Sequence, residues 1–340
     1  MLQLKNNTPF PVALDCFYDV DGVETLIVTI KSTFTVGSSV QVAQEQLEPV
    51  PSDEYWGDAD SSSIKQGMDV TLIKPATDII MTGNACAPRP KKVRDLDVRL
   101  KVGTSIDKTV KVFGNRVWKS DVLGLSPSLP EVFDTMPLVY ERAYGGVHEL
   151  ESKTLSEMRN PVGQGFKGKR GKKELEGQPM PNLENPEQLI RSPSDTPLPQ
   201  GFGWLHPSWE PRNRYLGTYD TAWERNRAPY LPEDFDSRYF QAAHPDLICD
   251  QPLVGGEPVL ITNMSHEGDI QFRLPTLNLA VNANFGDGSE PLNMSLSTLH
   301  FQPNDRLFTM TWQGAVSGDK RVLQCQALSI AMQKLQFHDE

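Results

Sequence analysis

The sequence predicts a mainly β protein: multi-stranded antiparallel β-sandwich or barrel-like sheets, with long Pro/Gly-rich central loops and one or two short helices. Three observations predict it. Apolar residues alternate with polar ones at period two near both ends of the chain, and turn signals separate these runs. The 340 residues include 27 prolines and 25 glycines, an excess of proline that opposes long uninterrupted helices.

Taken in chain order, Asp21-Gly22 lies between strand-like runs at 12–18 and 23–30 and reads as a hairpin. Val98, Leu100 and Val102 alternate with Asp97, Arg99 and Lys101, a strand with one dry and one wet face. Val110 and Val112 continue the style, and Gly114-Asn115 before Val117 and Trp118 reads as another hairpin turn. Asp220 is placed to cap a short helix through Trp223 and Arg227 that Pro229 stops. Pro232-Glu233-Asp234 reads as the first turn of a second helix running to Ala243. Towards the C-terminus, Ile270, Phe272 and Leu274 alternate, as do Leu277, Leu279 and Val281. Phe308, Met310 and Trp312 follow a Pro303-Asn304-Asp305 turn. The alternation of Leu328, Ile330 and Met332 favours strand over helix in 322–337. This divides the chain into an N-terminal β unit (1–135), a loop-rich central part with short helices (136–250) and a C-terminal β unit (251–340), expected to form one composite domain.

The central part differs from the ends. Twelve of the 27 prolines lie between Pro127 and Pro211, and little periodicity survives between Glu149 and Gln200. Residues 167–173 carry five positive charges in seven positions; a solvated, mobile loop is the favoured reading, a docking strip for an acidic partner the second.

Net charge is −11, which argues against nucleic acid and anionic membrane surfaces as partners. No stretch is long and apolar enough to span a bilayer and the N-terminus lacks signal-peptide blocks, so a cytoplasmic location is expected. Cys16, Cys86, Cys249 and Cys325 are far apart without CxxC spacing and read as reduced, buried thiols.

Motifs that carry chemistry are weak. Gly163 to Gly168 reads as GxGxxG, and Gly163 to Lys169 as GxxxxGK. Phosphate cradling needs a strand before and a helix N-terminus after such a loop. Met158-Arg159-Asn160-Pro161 is no strand, Gly177 and Pro179 soon break any helix on the C-terminal side, and Arg170 stands where a magnesium-binding hydroxyl belongs. There is no GxSxG, and His148, His206, His244, His266, His300 and His338 show no metal-ligand spacing. His300, between Leu299 and Phe301, reads as a hydrogen-bonded strand histidine. Acidic pairs such as Glu233-Asp234 and Asp58-Ala59-Asp60 are explained by caps and turns. No catalytic residue, cofactor or metal ligand is therefore expected.

Aromatic and arginine residues concentrate in 140–146, 201–212 and 217–227. The candidate positions are Tyr140, Arg142, Tyr144, Phe166, Phe202, Trp204, Trp209, Arg212, Tyr219, Trp223 and Arg227. Such residues build cores and also dominate interface hot spots; core is favoured over interface.

These segments resemble one bacterial family. Lys74-Pro75-Ala76-Thr77-Asp78, with Gly83 and Ala85, resembles its KPxTDxxxxGxA element. Residues 140–146, 160–166, 201–212, 217–223, 231–236 and 253–257 match later elements in order. The likeness covers roughly residues 1–315. It is to the domain-of-unknown-function proteins encoded beside VgrG, PAAR and toxin genes in type VI secretion clusters, in which Asn160 to Phe166 is an element of the family rather than a nucleotide loop. The resemblance implies a non-enzymatic adaptor or chaperone that binds a toxin effector and assists its loading onto the VgrG–PAAR spike. It carries over no effector-contact position. The competing reading is an enzyme or carbohydrate-binding module of the spike, with Trp204 or Trp209 exposed as a stacking platform.

Overall fold

The computed structural model describes residues 2–338 except 123, 287 and 319. Three larger sheets and five two-stranded ones are formed by the described residues, and the protein is mainly β as the alternation predicts. The largest runs in the order Ile248–Cys249, Thr77–Met81, Ser295–Gln302, Leu307–Ser317, Glu24–Val36, Val12–Tyr18, with Val40–Val42 also paired to Glu24–Val36. A five-stranded sheet runs Leu183–Glu184, Ile106–Phe113, Asp95–Val102, Pro258–Thr262, Ile270–Arg273. A four-stranded sheet runs Gln3–Asn7, Ala327–Gln336, Thr276–Asn284, Ser289–Leu292. Each of the three larger sheets mixes strands from distant parts of the chain. Most pairs are antiparallel, but Thr77–Met81 lies parallel to Ser295–Gln302, and Gln3–Asn7 parallel to Ala327–Gln336.

The central strand Glu24–Val36 is covered on both faces, and the two covers differ in kind. On one face Val28, Ile30, Phe34, Phe301, Phe308 and Met310 are buried. Phe272 of the five-stranded sheet stacks on Phe308 at 5.2 Å, so the two sheets share one apolar core there. The other face carries Thr29, Lys31, Thr33, Asp78, Thr298, His300, Thr309, Thr311 and Gln313, all buried. Irregular chain rather than a second sheet covers this face, so its backbone groups need side-chain partners. Lys31 Nζ bonds Asp69 at 2.7 Å, Thr311 Oγ1 bonds the same carboxylate, and Gln313 Nε2 donates to the Asp69 and Thr71 carbonyls. The Asp78 carboxylate accepts from Lys74 Nζ at 2.7 Å and from the Ala242 and Ala243 N–H groups. The Met81 N–H donates to the Phe202 carbonyl.

His300 is fully buried on this face, with its Nε2 2.8 Å from Thr82 Oγ1 and Trp204 edge-on at 4.5 Å. Burial first, and the Lys31 charge second, lower its pKa to about 3. A histidine held neutral in the fold but free to protonate when unfolded contributes stability above about pH 6.5. That contribution is lost as pH falls from there towards 3. We expect the urea midpoint of the wild type to fall more steeply between pH 6.5 and 4.5 than that of His300→Gln. The excess should be about 2–3 kcal/mol, at roughly 1.4 kcal/mol per pH unit; equal slopes for the two proteins would refute it.

The Asp21-Gly22 hairpin joins Val12–Tyr18 to Glu24–Val36, a longer second strand than expected. Asp95–Val102 alternates buried and wet as its sequence predicts. The Gly114-Asn115 hairpin does not form. Ile106–Phe113 pairs with Asp95–Val102 and Leu183–Glu184, whereas Trp118–Ser120 pairs with Leu125–Pro127. Gly114 serves instead as a close approach, since a Cβ there would lie 1.9 Å from the Glu131 carbonyl oxygen. The helix Thr221–Asn226 starts as predicted, with the Asp220 carboxylate accepting from the Trp223 N–H.

The second predicted helix is absent. Pro232–Phe235 is a turn, followed by a single 3₁₀ turn at Ser237–Phe240. Asp234 bonds the Thr218 N–H and hydroxyl, and Asp236 caps Arg238, so side-chain bonds hold the turns. In 322–337 the strand is Ala327–Gln336, preceded by one helical turn, Arg321–Gln324. Cys86, Cys249 and Cys325 are buried free thiols, but Cys16 is exposed because its strand lies at a sheet edge.

Candidate functional site

Six of the eleven candidate aromatic and arginine positions, Tyr140, Tyr144, Phe202, Trp204, Trp209 and Arg212, are buried in the fold. Phe202, Trp204 and Trp209 are buried, which corrects the expectation that either tryptophan is an exposed stacking platform. Trp204 fits because position 67 is glycine: a Cβ there would lie 2.4 Å from the indole. Tyr140 is buried edge-on to Trp209 at 5.7 Å, and burial raises its pKa strongly. Arg212 is buried, with its guanidinium donating to the Leu205 carbonyl at 2.6 Å and the Tyr239 carbonyl at 3.0 Å. Tyr144 is buried with its pKa pushed up to about 12, chiefly by desolvation. Arg142 is half-buried and reaches Asn182 Oδ1 at 3.2 Å.

Phe166 is half-buried and lines a cleft of about 460 Å³ with Trp118, Gly145, Gly163, Arg170 and Pro179. The apparent phosphate loop is one wall of this cleft. Its Gln164-Gly165 lies parallel to Tyr144-Gly145, and the Asn160 side chain donates to the Tyr140 and Tyr144 carbonyls. The basic segment behind it is tethered. Arg170 donates to the Phe166 and Val147 carbonyls, and the Lys169 N–H to His148 Nδ1.

One polar knot, buried except for the exposed Asp246, resembles catalytic machinery. Lys108 Nζ lies 2.9 Å from Gln200 Oε1, 2.8 Å from Asp246 Oδ2 and 3.2 Å from His244 Nδ1. Burial and the Lys108 charge lower the His244 pKa to about 4. His244 Nδ1 also takes the Asp246 N–H, so the cluster fastens the Pro245–Leu247 turn to the Ile106–Phe113 strand. Among the described residues no group of three or more His, Cys, Asp or Glu is arranged to hold a metal ion, and no helix is long and apolar enough to cross a membrane.

The remaining three candidates, Tyr219, Trp223 and Arg227, come together at the surface. Tyr219 is 47% exposed and meets the half-buried Trp223 edge-on at 4.6 Å. Trp223 Nε1 donates to the Tyr230 carbonyl, and Tyr230 packs edge-on against Tyr18 at 4.9 Å. Arg227 ties the loop to the 19–23 hairpin tip, donating to the Leu231 carbonyl at 2.8 Å and the Val20 carbonyl at 2.6 Å. Gly22 allows this contact, since a Cβ there would lie 3.3 Å from the Tyr230 ring.

The result is an aromatic platform of Tyr18, Tyr219, Trp223 and Tyr230. Tyr18 is 49% exposed and Tyr230 36%. Asp220 and Asp234 hold its loop through the Trp223 and Thr218 N–H groups, and the Thr218 bonds lower the Asp234 pKa. Sequence reasoning missed Tyr18 and Tyr230, whose meeting depends on a hairpin tip touching a distant loop. It also missed Trp56, 51% exposed beneath Lys65 Nζ at 5.7 Å.

No curated protein and no solved structure matches the chain. A family model does, over residues 21–313, which takes in the KPxTD element, the Tyr144–Gln164 clasp and the platform loop. The chain therefore belongs to the family described as "Uncharacterized protein conserved in bacteria (DUF2169)".

Proposed function

We propose that the protein is a non-enzymatic adaptor that binds a type VI secretion effector and assists its loading onto the VgrG–PAAR spike. The observation that supports this reading is the platform of Tyr18, Tyr219, Trp223 and Tyr230. These are residue types that dominate hot spots; the three tyrosines are exposed beside the half-buried Trp223, whose indole bonds the Tyr230 carbonyl, and Arg227 pins the loop to the Val20 carbonyl. A preformed aromatic surface binds with little loss of side-chain freedom. The choice of partner rests on the resemblance of the sequence elements to those of proteins encoded beside VgrG, PAAR and toxin genes.

Co-expression should raise the soluble yield of the toxin encoded next door, and deletion should abolish delivery of that toxin alone. Unchanged toxin levels and delivery in the deletion strain would sink the proposal. Tyr219→Ala combined with Trp223→Ala should weaken toxin capture by about 30-fold, equivalent to roughly 2 kcal/mol. Calorimetry with purified toxin checks this, and a change under threefold would remove the platform from the interface.

A further inference from the structure

We infer that the Val12–Tyr18 edge of the large sheet receives an extended segment of the partner protein as an added strand, a segment that alternates apolar residues with Lys or Arg. This deepens the adaptor reading and rests on it for the identity of the partner.

The edge is open. Val12–Tyr18 ends the large sheet and, with seven residues, is the longest of the terminal strands of the three larger sheets. The others have two to five residues, and Ser289–Leu292 contains a proline. Exposed edges are normally blunted by proline, lysine, bulges or shortness. Val12–Tyr18 contains no proline or lysine, and its register against Glu24–Val36 runs without a bulge.

Parity identifies the free groups. The Lys31 N–H donates to the Pro11 carbonyl and the Asp19 N–H to the Val23 carbonyl, so odd-numbered residues bond inwards. The N–H and C=O groups of Val12, Leu14, Cys16 and Tyr18 therefore point away from the sheet. The Cys16 N–H is occupied by its neighbour, Asp15 Oδ1, at 2.8 Å.

Side chains and charge define the occupant. Val12 and Leu14 pack on the apolar core, so an added strand would continue an apolar face there. On the opposite face stands Asp15; the hairpin tip adds Asp19 and Asp21, and Glu24, paired with Tyr18, adds a fourth acid on the Val12 face. Residues 6–30 contain no Lys or Arg, and among the described residues none of these four acids has an ion-pair partner. A second copy of this chain would bring acids against acids, and like charges across a pair of strands repel. A Lys or Arg opposite Asp15 instead draws its carboxylate outward and releases the Cys16 N–H for the new ladder. Main-chain bonds supply affinity and the alternating side chains specificity. The edge ends at Tyr18, which is also one wall of the aromatic platform.

The test uses the full chain and a labelled peptide as long as the strand, alternating Val with Lys. We expect binding by fluorescence anisotropy and new hydrogen-exchange protection at Val12, Leu14 and Tyr18. A Val–Glu peptide should bind at least tenfold more weakly. Cys16→Pro removes one outward N–H at an exposed position where proline is tolerated; with its melting temperature near wild type, it too should lose at least tenfold. Asp15→Lys should do the same without altering the backbone. Equal binding of both peptides, binding unaffected by Cys16→Pro, or protection that appears without peptide through self-association would each overturn the inference. So would toxin capture undiminished in Cys16→Pro, an outcome that leaves the adaptor reading intact; failure of the wild type to capture toxin overturns the adaptor reading itself.

Discussion

Asp78→Ala is expected to lower stability by about 3–5 kcal/mol, enough to leave a domain of ordinary stability barely folded. Asp78 is fully buried, and its carboxylate serves three donors: Lys74 Nζ, the Ala242 N–H and the Ala243 N–H. Removing it leaves the Lys74 ammonium, among the described residues, with Thr298 Oγ1 at 3.0 Å as its remaining partner, and takes the acceptor from two buried amides. Lys74→Met should be similarly severe, because it leaves a buried carboxylate without its cation. The double variant Lys74→Met/Asp78→Ala should cost clearly less than the sum of the two, since neither charge is then unpaired. Arg99→Ala provides the contrast. Its bidentate pair with Asp107 is about 40% exposed, and solvent screening leaves its loss a small effect beside that of the buried pair. Urea denaturation of the four proteins measures all of this. Additive losses in the double variant would show that Lys74 and Asp78 act independently.

That pair also shows what the sequence disclosed and what it withheld. Short-range physics was legible: the alternation of Val98, Leu100 and Val102, the Asp21-Gly22 turn and the Asp220 cap each depend on neighbours a few residues away. Failures occurred where a distant partner overrode the local signal. Gly114 looks like a turn residue but is there for the Glu131 carbonyl. Pro232-Glu233-Asp234 looks like a helix start, but Asp234 is engaged by Thr218. The polar residues of the large sheet face, such as Thr29, Lys31, His300 and Gln313, would suggest a wet surface by alternation alone; they are buried under the 46–71, 200–212 and 240–244 segments. Aromatic density around 201–212 reflects that cover. Of the surface platform, Tyr219, Trp223 and Arg227 were visible in one run of sequence, while Tyr18 and Tyr230 meet only because Arg227 pins the hairpin tip.

Gly145→Ala should be the most damaging single substitution in the central part, with a loss of about 3 kcal/mol or more and little soluble protein. Two effects combine there. Its φ of +155° is one that side chains rarely adopt, and a Cβ would lie 2.0 Å from the Asn160 carbonyl oxygen. That carbonyl cannot retreat, because it accepts the Gly146 N–H at 2.9 Å while the Asn160 amide holds Tyr140 and Tyr144 from the other side. The substitution therefore opens the clasp between residues 140–146 and 160–166, on which Tyr144, Trp118 and the wall of the 460 Å³ cleft depend. Gly177→Ala separates the two effects: it also has positive φ, +80°, but nothing lies within 4 Å of the added methyl. It should cost about 1 kcal/mol, the backbone contribution alone. A Gly145→Ala protein no less stable than Gly177→Ala would mean that the clasp yields easily, and that Gly145 is there for the cleft it lines rather than for the fold.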